Sequence, residues 1–269
     1  MDDAQSISSQ AHGLIAQIAS KCSSHTGGGH PLGSMSSSIY DTAWLSMLDK
    51  PAHSGVWLFP QCFDFILRHQ LENGGWESYA TTVDGILNTA ASLLALKRHL
   101  KSCPNTDGLD VRASKAIAAL DGMLQTWDVS SSDQVGFEIL VVKHLELLEL
   151  EGVHFEFPGS MELKQVKEAK MAKLPASVIE SAPSTIYHSL EAMIGHVNFD
   201  RVKMWRETNG SMLGSPSSTA AYLMNSSIWD QDSEQYLKAV VQFGTGENDG
   251  GVPCAWPTTI FDVTWKLKK

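Results

Sequence analysis

The chain has 269 residues and a formal net charge of −10, from 30 Asp and Glu against 20 Lys and Arg. That balance excludes nucleic acid as the main partner, since phosphate binding needs a basic face, and no apolar run is long enough to cross a membrane. Cys22, Cys62, Cys103 and Cys254 are scattered with no CxxC pair, and the acidic start MDDAQSISSQ carries no signal-peptide pattern, so the expectation is reduced thiols in the cytoplasm.

In chain order, a short helix is expected around residues 11–22, followed by the Gly/Ser-rich linker SSHTGGGHPLGSMSSS. The stretch SIYDTAWLSML then has helical spacing of Ile39, Ala43, Leu45 and Leu48. Pro60 suits the first turn of the next helix, whose face is Phe63, Ile66, Leu67 and Leu71. QLENGGW, residues 70–76, breaks the chain before a long helix, VDGILNTAASLLALKRHL, with Lys97 and Arg98 in its last turn. VGFEILVVKHLELLELEG predicts a further helix ended by Gly152, residues 160–174 a solvated one, and PSTIYHSLEAMIG another. Ser215 followed by Pro216 reads as a helix N-cap. DSEQYLKAVVQFG reads as a capping box, Asp232 with Gln235, ended by Gly244. No stretch reads as a strand, so the fold class expected is all-α.

An internal echo runs through these elements. ENGGWES before LNTAASLLAL is matched by TNGSMLG before SSTAAYLM, and ENDGGVP supplies a third Asn/Gly turn. Helix pairs joined by Gly-rich turns build helical barrels and solenoids.

Taken together and in this order, SIYDTAW, QLENGGW, DGILNTAASLLALK, VGFE, YHSLEAM, SPSSTAA and GGVPCAWPTTIFD resemble the class II diterpene cyclases. The resemblance is to the copalyl diphosphate synthases, in particular the fungal bifunctional copalyl diphosphate/ent-kaurene synthases, and covers residues 36–265. It implies a terpene-cyclase-type α-helical barrel in which a γ domain is inserted into a β domain. Residues 1–37 would be a leader and linker, 38–49 the first β-domain helix, 50–248 the γ domain, and 249–269 the start of a returning but truncated β domain. Tyr40, Asp41 and Trp44, with Gln70, Gly74, Gly75 and Trp76, would be structural motif residues. Gly74 and Gly75 would allow a tight turn, and Trp76 would stack on Gln70 or a neighbouring helix end.

The family reaction is protonation of geranylgeranyl diphosphate by the central Asp of a DxDD motif, with ring closure to copalyl diphosphate. No DxDD occurs in this sequence, and no DDxxD metal motif either. The resemblance therefore implies a portion that is inactive alone and needs the missing or separate β and α domains. His188, at the family's LHSLE histidine, would be the base that takes the last proton, on a small, polar helix face with Ser184. Cys254 stands where plant relatives have Asn in VPNVYP, with buried structural thiol as the plainer reading, and Trp256 beside it would offer a π face to a cation. Mg²⁺ serves the parent family, but the matching acidic stretch retains only Asp128, Asp133 and Glu138, too few clustered oxygens for a tight site. The alternative is a non-catalytic relative that binds prenyl diphosphate or complements a separate β domain. A squalene–hopene or prenyl-transferase-like barrel lacks support in these motifs.

Overall fold

In the computed structural model, residues 35–50, 56–102, 108–245 and 249–258 are described. The expected helix at 11–22, the linker, Cys22, Cys103 and the segment from 259 to 269 lie outside the described residues. The described chain is helical, with no strand and only isolated bridges such as Ser38 to Val252. Its α-helices are α1 (Ile39–Ser46), α2 (Pro60–Arg68), α3 (Thr82–Ser102), α4 (Leu109–Thr126), α5 (Phe137–Leu150), α6 (Ser160–Met171), α7 (Ala176–Ser181), α8 (Phe199–Val202), α9 (Pro216–Asn225) and α10 (Gln231–Phe243).

Two helices form the centre. α1 buries every residue but Tyr40 and packs on α2, α3 and α9. α3 packs on α1, α4 and α5, and buries Asn88, Thr89 and Ser92 along with its apolar residues. A helix with neighbours on every side has no solvent face, and so shows only a weak amphipathic pattern. α6 is the opposite case: Leu163 is its one buried residue, as its Lys/Glu-rich sequence implies.

Three sequence expectations need correction or addition. α4 escaped the sequence reading because its buried stripe is Leu109, Ala113, Ala116, Leu120 and Leu124, with alanine weakening the apolar signal. The cap of α10 is Asp230, whose side chain accepts from the N–H groups of Asp232 and Ser233; Asp232 is already inside the helix and pairs with Arg206 at 2.8 Å. The Thr185–Met193 stretch is a 3₁₀ helix broken at Ser189, with φ −136° and ψ 42°. An α-helical wheel therefore does not describe which of its side chains share a face.

The internal echo has a geometric basis. In the turns at Asn73–Gly74, Asn209–Gly210 and Asp249–Gly250, the side-chain oxygen accepts from the N–H two residues on, at 3.0, 3.0 and 2.9 Å. Each glycine has φ near +90°. An added Cβ would overlap a carbonyl oxygen on another helix: Lys115 for Gly74, Asp232 for Gly210, Gln61 for Gly250. The backbone N–H two residues beyond each glycine then donates to a threonine hydroxyl, Trp76 to Thr89 at 3.2 Å, Met212 to Thr219 at 2.9 Å and Val252 to Thr42 at 3.0 Å. Each threonine is followed by alanine, which lets the turn approach the helix closely.

Around the first turn the expected roles change in detail. The Gln70 amide donates to Gly74 O and Arg112 O, at 2.9 and 3.0 Å, and accepts from the Arg112 guanidinium. Trp76 is 1% exposed and donates its indole N–H to Ile66 O in the last turn of α2, at 3.0 Å. Trp76 thus secures a helix end by a hydrogen bond, while Gln70 ties the turn to α4. Gly75 lies against Met123, Thr89 and Ala119, leaving little room for a side chain.

Candidate functional site

Tyr40, Asp41 and Trp44 of the motif in α1 each reach a different part of the molecule. Ser38 caps the helix and donates to Asp41 Oδ2 at 2.7 Å. Tyr40 donates its hydroxyl to Glu191 Oε1 at 2.9 Å. Asp41 Oδ1 accepts from the Ser217 backbone N–H in the first turn of α9, at 3.1 Å, where the helix terminus favours negative charge. Trp44 donates to His144 Nε2 at 3.2 Å, while His144 Nδ1 lies 2.8 Å from Leu140 O. That pair of contacts fixes His144 as a neutral ring with its proton on Nδ1, and burial pushes its pKa down to about 4.

Above this network lies a cavity of about 500 Å³. Tyr40, Asp41, His188, Glu191, Ser217 and Cys254 all line it, with Asp84, Tyr79 and Asn88 on another side. Residues far apart in sequence are thus gathered around one space. No Lys or Arg is among the described residues lining it.

The two carboxyl groups at its floor are almost fully covered, Asp41 at 3% exposure and Glu191 at 1%. Glu191 Oε2 faces the Ser218 hydroxyl at 2.8 Å, and Oε1 faces Ser217 Oγ at 3.4 Å as well as Tyr40. Burial pushes Glu191 up to about 7, with the neighbouring Asp41 charge acting in the same direction against its hydrogen bonds. Burial raises Asp41 too, opposed by its bonds from Ser38 and Ser217.

The expected site residues fall in different places. His188 is exposed, with Nδ1 3.2 Å from Leu213 O. Leu213 is the only non-glycine residue among those described with positive φ, at 48°, a conformation that costs energy for leucine and turns its carbonyl toward the ring. Cys254 is exposed at the cavity wall, correcting the expectation of a buried thiol. Trp256 is buried, packs on Tyr236 at 5.8 Å between ring centroids and does not line the cavity. Ser184 does not line it either; its hydroxyl accepts from Ile186 N and caps the 3₁₀ helix. Glu191 and His144 carried no sequence signal of their own, although Glu191 stands in the same HSLE string as His188.

The three acids considered for a metal do not converge. Asp128 is exposed, and a hydrogen bond from the Ser130 hydroxyl is the main cause of its lowered pKa. Asp133 and Asp128 both border a second, smaller cavity, away from Glu138. Glu138 is buried and paired with Lys170 at 3.2 Å. Among the described residues no three His, Cys, Asp or Glu come together as a metal cage, and these side chains do not fit a hard divalent cation.

No protein-family model matches the chain. Among solved structures it is similar to the ent-copalyl diphosphate synthase of Arabidopsis thaliana in complex with (S)-15-aza-14,15-dihydrogeranylgeranyl thiolodiphosphate. The TM-score is 0.71 and the identity 26%, over 87% of this chain and 32% of that one. The abietadiene synthase of Abies grandis matches equally, with TM-score 0.71 and 26% identity over 94% of this chain and 33% of that one. The helical fold is thus that of the class II diterpene cyclases.

Curated fungal proteins are closer in sequence. The chain is 45% identical to a pimaradiene synthase of Emericella nidulans over 98% of its length, and 43% identical to a copalyl diphosphate synthase of Talaromyces verruculosus over 96%. It is 42% identical to an ent-kaur-16-ene synthase of Phaeosphaeria sp. over 85%. It spans 27%, 27% and 25% of those proteins respectively. The chain is thus similar over nearly its whole length to fungal diterpene cyclases of the copalyl diphosphate and ent-kaurene synthase type, and spans about a quarter of the length of such a protein. Among the described residues no helix is long and apolar enough to cross a membrane.

Proposed function

We propose that the chain supplies one wall of a class II diterpene-cyclase active site, in which geranylgeranyl diphosphate is cyclised to copalyl diphosphate. Residues 50–248 act as the γ domain and α1 as the first β-domain helix. The initiating acid comes from outside this sequence, which has no DxDD. The observation that carries the reading is the gathering of His188, Cys254 and the α1 motif around one cavity, whose volume falls within the roughly 300–1,000 Å³ usual for small-molecule sites.

His188 is the base of this wall. With Nδ1–H given to the Leu213 carbonyl, Nε2 keeps its lone pair free to take a proton from the carbon next to the final cation. The electrons of that C–H bond then form the alkene of the product, and the imidazole becomes imidazolium. Cys254 borders the same space, and its neutral thiol is a poor orienter of water. The described acids do not form the Mg²⁺ site of the parent family, so the diphosphate is held by groups outside the described residues.

The test uses the purified chain and geranylgeranyl diphosphate. Saturable binding, weakened several-fold by closing the cavity with Ser217→Leu, and no copalyl diphosphate by mass spectrometry are the expected results. Copalyl diphosphate made by the chain alone overturns the placement of the acid. No binding overturns the assignment of the cavity and favours a module that needs a separate β domain.

A further inference from the structure

The cavity floor holds two buried carboxyl groups, yet the hydrogen bonds around them are not equivalent. Asp41 accepts at Oδ1 from the Ser217 backbone N–H, a donor that cannot reverse. At Oδ2 it accepts from Ser38 Oγ, whose own oxygen already accepts from the Asp41 N–H at 3.2 Å. Oδ1 of Asp41 is thus committed as an acceptor, and at Oδ2 the one hydroxyl that faces it already has a lone pair in use. Glu191 takes a hydrogen bond from its own backbone N–H, but its side-chain partners are all hydroxyl groups: Tyr40, Ser217 and Ser218. Hydroxyls donate or accept as required, and Ser217 Oγ has a second hydroxyl, Ser215, at 3.1 Å to which it can turn its hydrogen.

We infer that Asp41 and Glu191 form a proton-sharing pair, with the charge on Asp41 and the proton on Glu191, so that the floor gains a second negative charge when Glu191 ionises. The inference concerns the same cavity as the cyclase reading, and rests on it for the claim that a carbocation faces that charge. The groups around the pair leave the proton with nowhere better to go. His144, on α5, approaches Tyr40 at 5.2 Å between ring centroids and is neutral. Tyr236, on α10, is a neutral phenol whose pKa burial raises well above its usual value. Asp84 on α3, His188 and Cys254 stand around the cavity wall, and only His188 among them can carry positive charge. Two carboxylates in so dry a place do not ionise together easily, and the pair titrates in two separate steps. The upper step falls near neutrality, where Glu191 sits at about 7.

Infrared difference spectra of the purified chain between pH 5 and 9 test this. The expected result is one buried carboxylic-acid C=O band that titrates near neutral pH and disappears in Glu191→Gln. In Asp41→Asn the band should persist with a midpoint at lower pH, because the neighbouring charge is gone; this second variant decides the matter if Glu191→Gln does not fold by circular dichroism. No titrating band, a band untouched by Glu191→Gln, or a midpoint unmoved in Asp41→Asn overturns the pair. Binding of a quaternary prenylammonium, whose charge does not titrate and which has no diphosphate, separates the two readings. Its affinity should rise about tenfold from pH 6 to pH 8, as the second charge appears, and stay flat in Glu191→Gln. A titrating band without prenylammonium binding leaves the pair standing and overturns the cyclase reading of the cavity.

Discussion

Glu191 and Glu234 are equally hidden, each 1% exposed, and sit in opposite electrostatic surroundings. Burial acts to raise both. At Glu234 it is outweighed by Lys238 and Lys50, both 2.8 Å from Oε1, and by the Trp229 indole at 2.6 Å from Oε2, and the pKa falls to about 2. At Glu191 burial dominates, Asp41 adds repulsion, no Lys or Arg is among the described residues lining the cavity, and the pKa rises to about 7. What separates a structural ion pair from a titratable cavity floor is first the partner, and with it the depth, since Glu234 lies nearer the surface than Glu191 although both are covered. The α10 corner, with Asp230 also held by Arg206 at 3.4 Å, is built to stay charged; the floor is not.

The strongest challenge to the charged corner is Gly210→Ala. Its φ is +93° and a Cβ would collide with the Asp232 carbonyl, so about 3–5 kcal/mol of stability should be lost in urea unfolding. A loss below about 1 kcal/mol would show that the turn can move off α10.

Glu191→Gln should show the opposite sign at high pH. An acid raised in the fold stabilises fully below its ordinary pKa and loses that contribution as pH rises through the folded value, from about 4.5 to about 7. At pH 8 the variant should therefore be more stable than the parent, by on the order of 3 kcal/mol. At pH 4 the two should match. His144 works against this slope, because a histidine held down to about 4 adds stability above its ordinary pKa that is lost as pH falls through 4. The parent should thus be nearly flat between pH 4.5 and 6.5, and Glu191→Gln should expose a stability that rises with pH. Equal curves for parent and variant would end the contrast between the two glutamates.

Glu234→Gln should cost about 2 kcal/mol at pH 7 by removing the shared acceptor of two lysines and an indole. That loss should fade as pH falls through 2, because a depressed acid stabilises only while ionised. Lys238→Ala should cost under about 1 kcal/mol, since that side chain is 46% exposed and Lys50 remains, and 1 M salt should shrink the effect further.

The comparison also shows what the sequence could reveal. Helices α1, α2, α3, α5 and α9 were legible from spacing, from Pro60 and from the Ser215–Pro216 cap. The Asn/Asp–Gly turns were legible as an echo, although their shared threonine acceptors were not, because a hydroxyl taking a distant N–H leaves no local pattern. α4 was hidden by its alanines, and the 3₁₀ segment by a break at Ser189 that only packing decides. His188, Cys254 and Asp41 came from motif strings, whereas the pairing of Asp41 with Glu191 spans 150 positions. No periodicity could show that the same residue type would be a fixed anion at Glu234 and a proton carrier at Glu191.

Ser38 N donates to Val252 O at 2.7 Å, and Val252 N donates to Thr42. The two edges of the described helical body therefore touch, although more than two hundred positions separate them. A body whose entry and exit coincide can be carried within another polypeptide at a single point of its surface. It should equally accept circular permutation, with residue 252 joined to residue 38 by a short link and new termini opened in the exposed stretch around Val135.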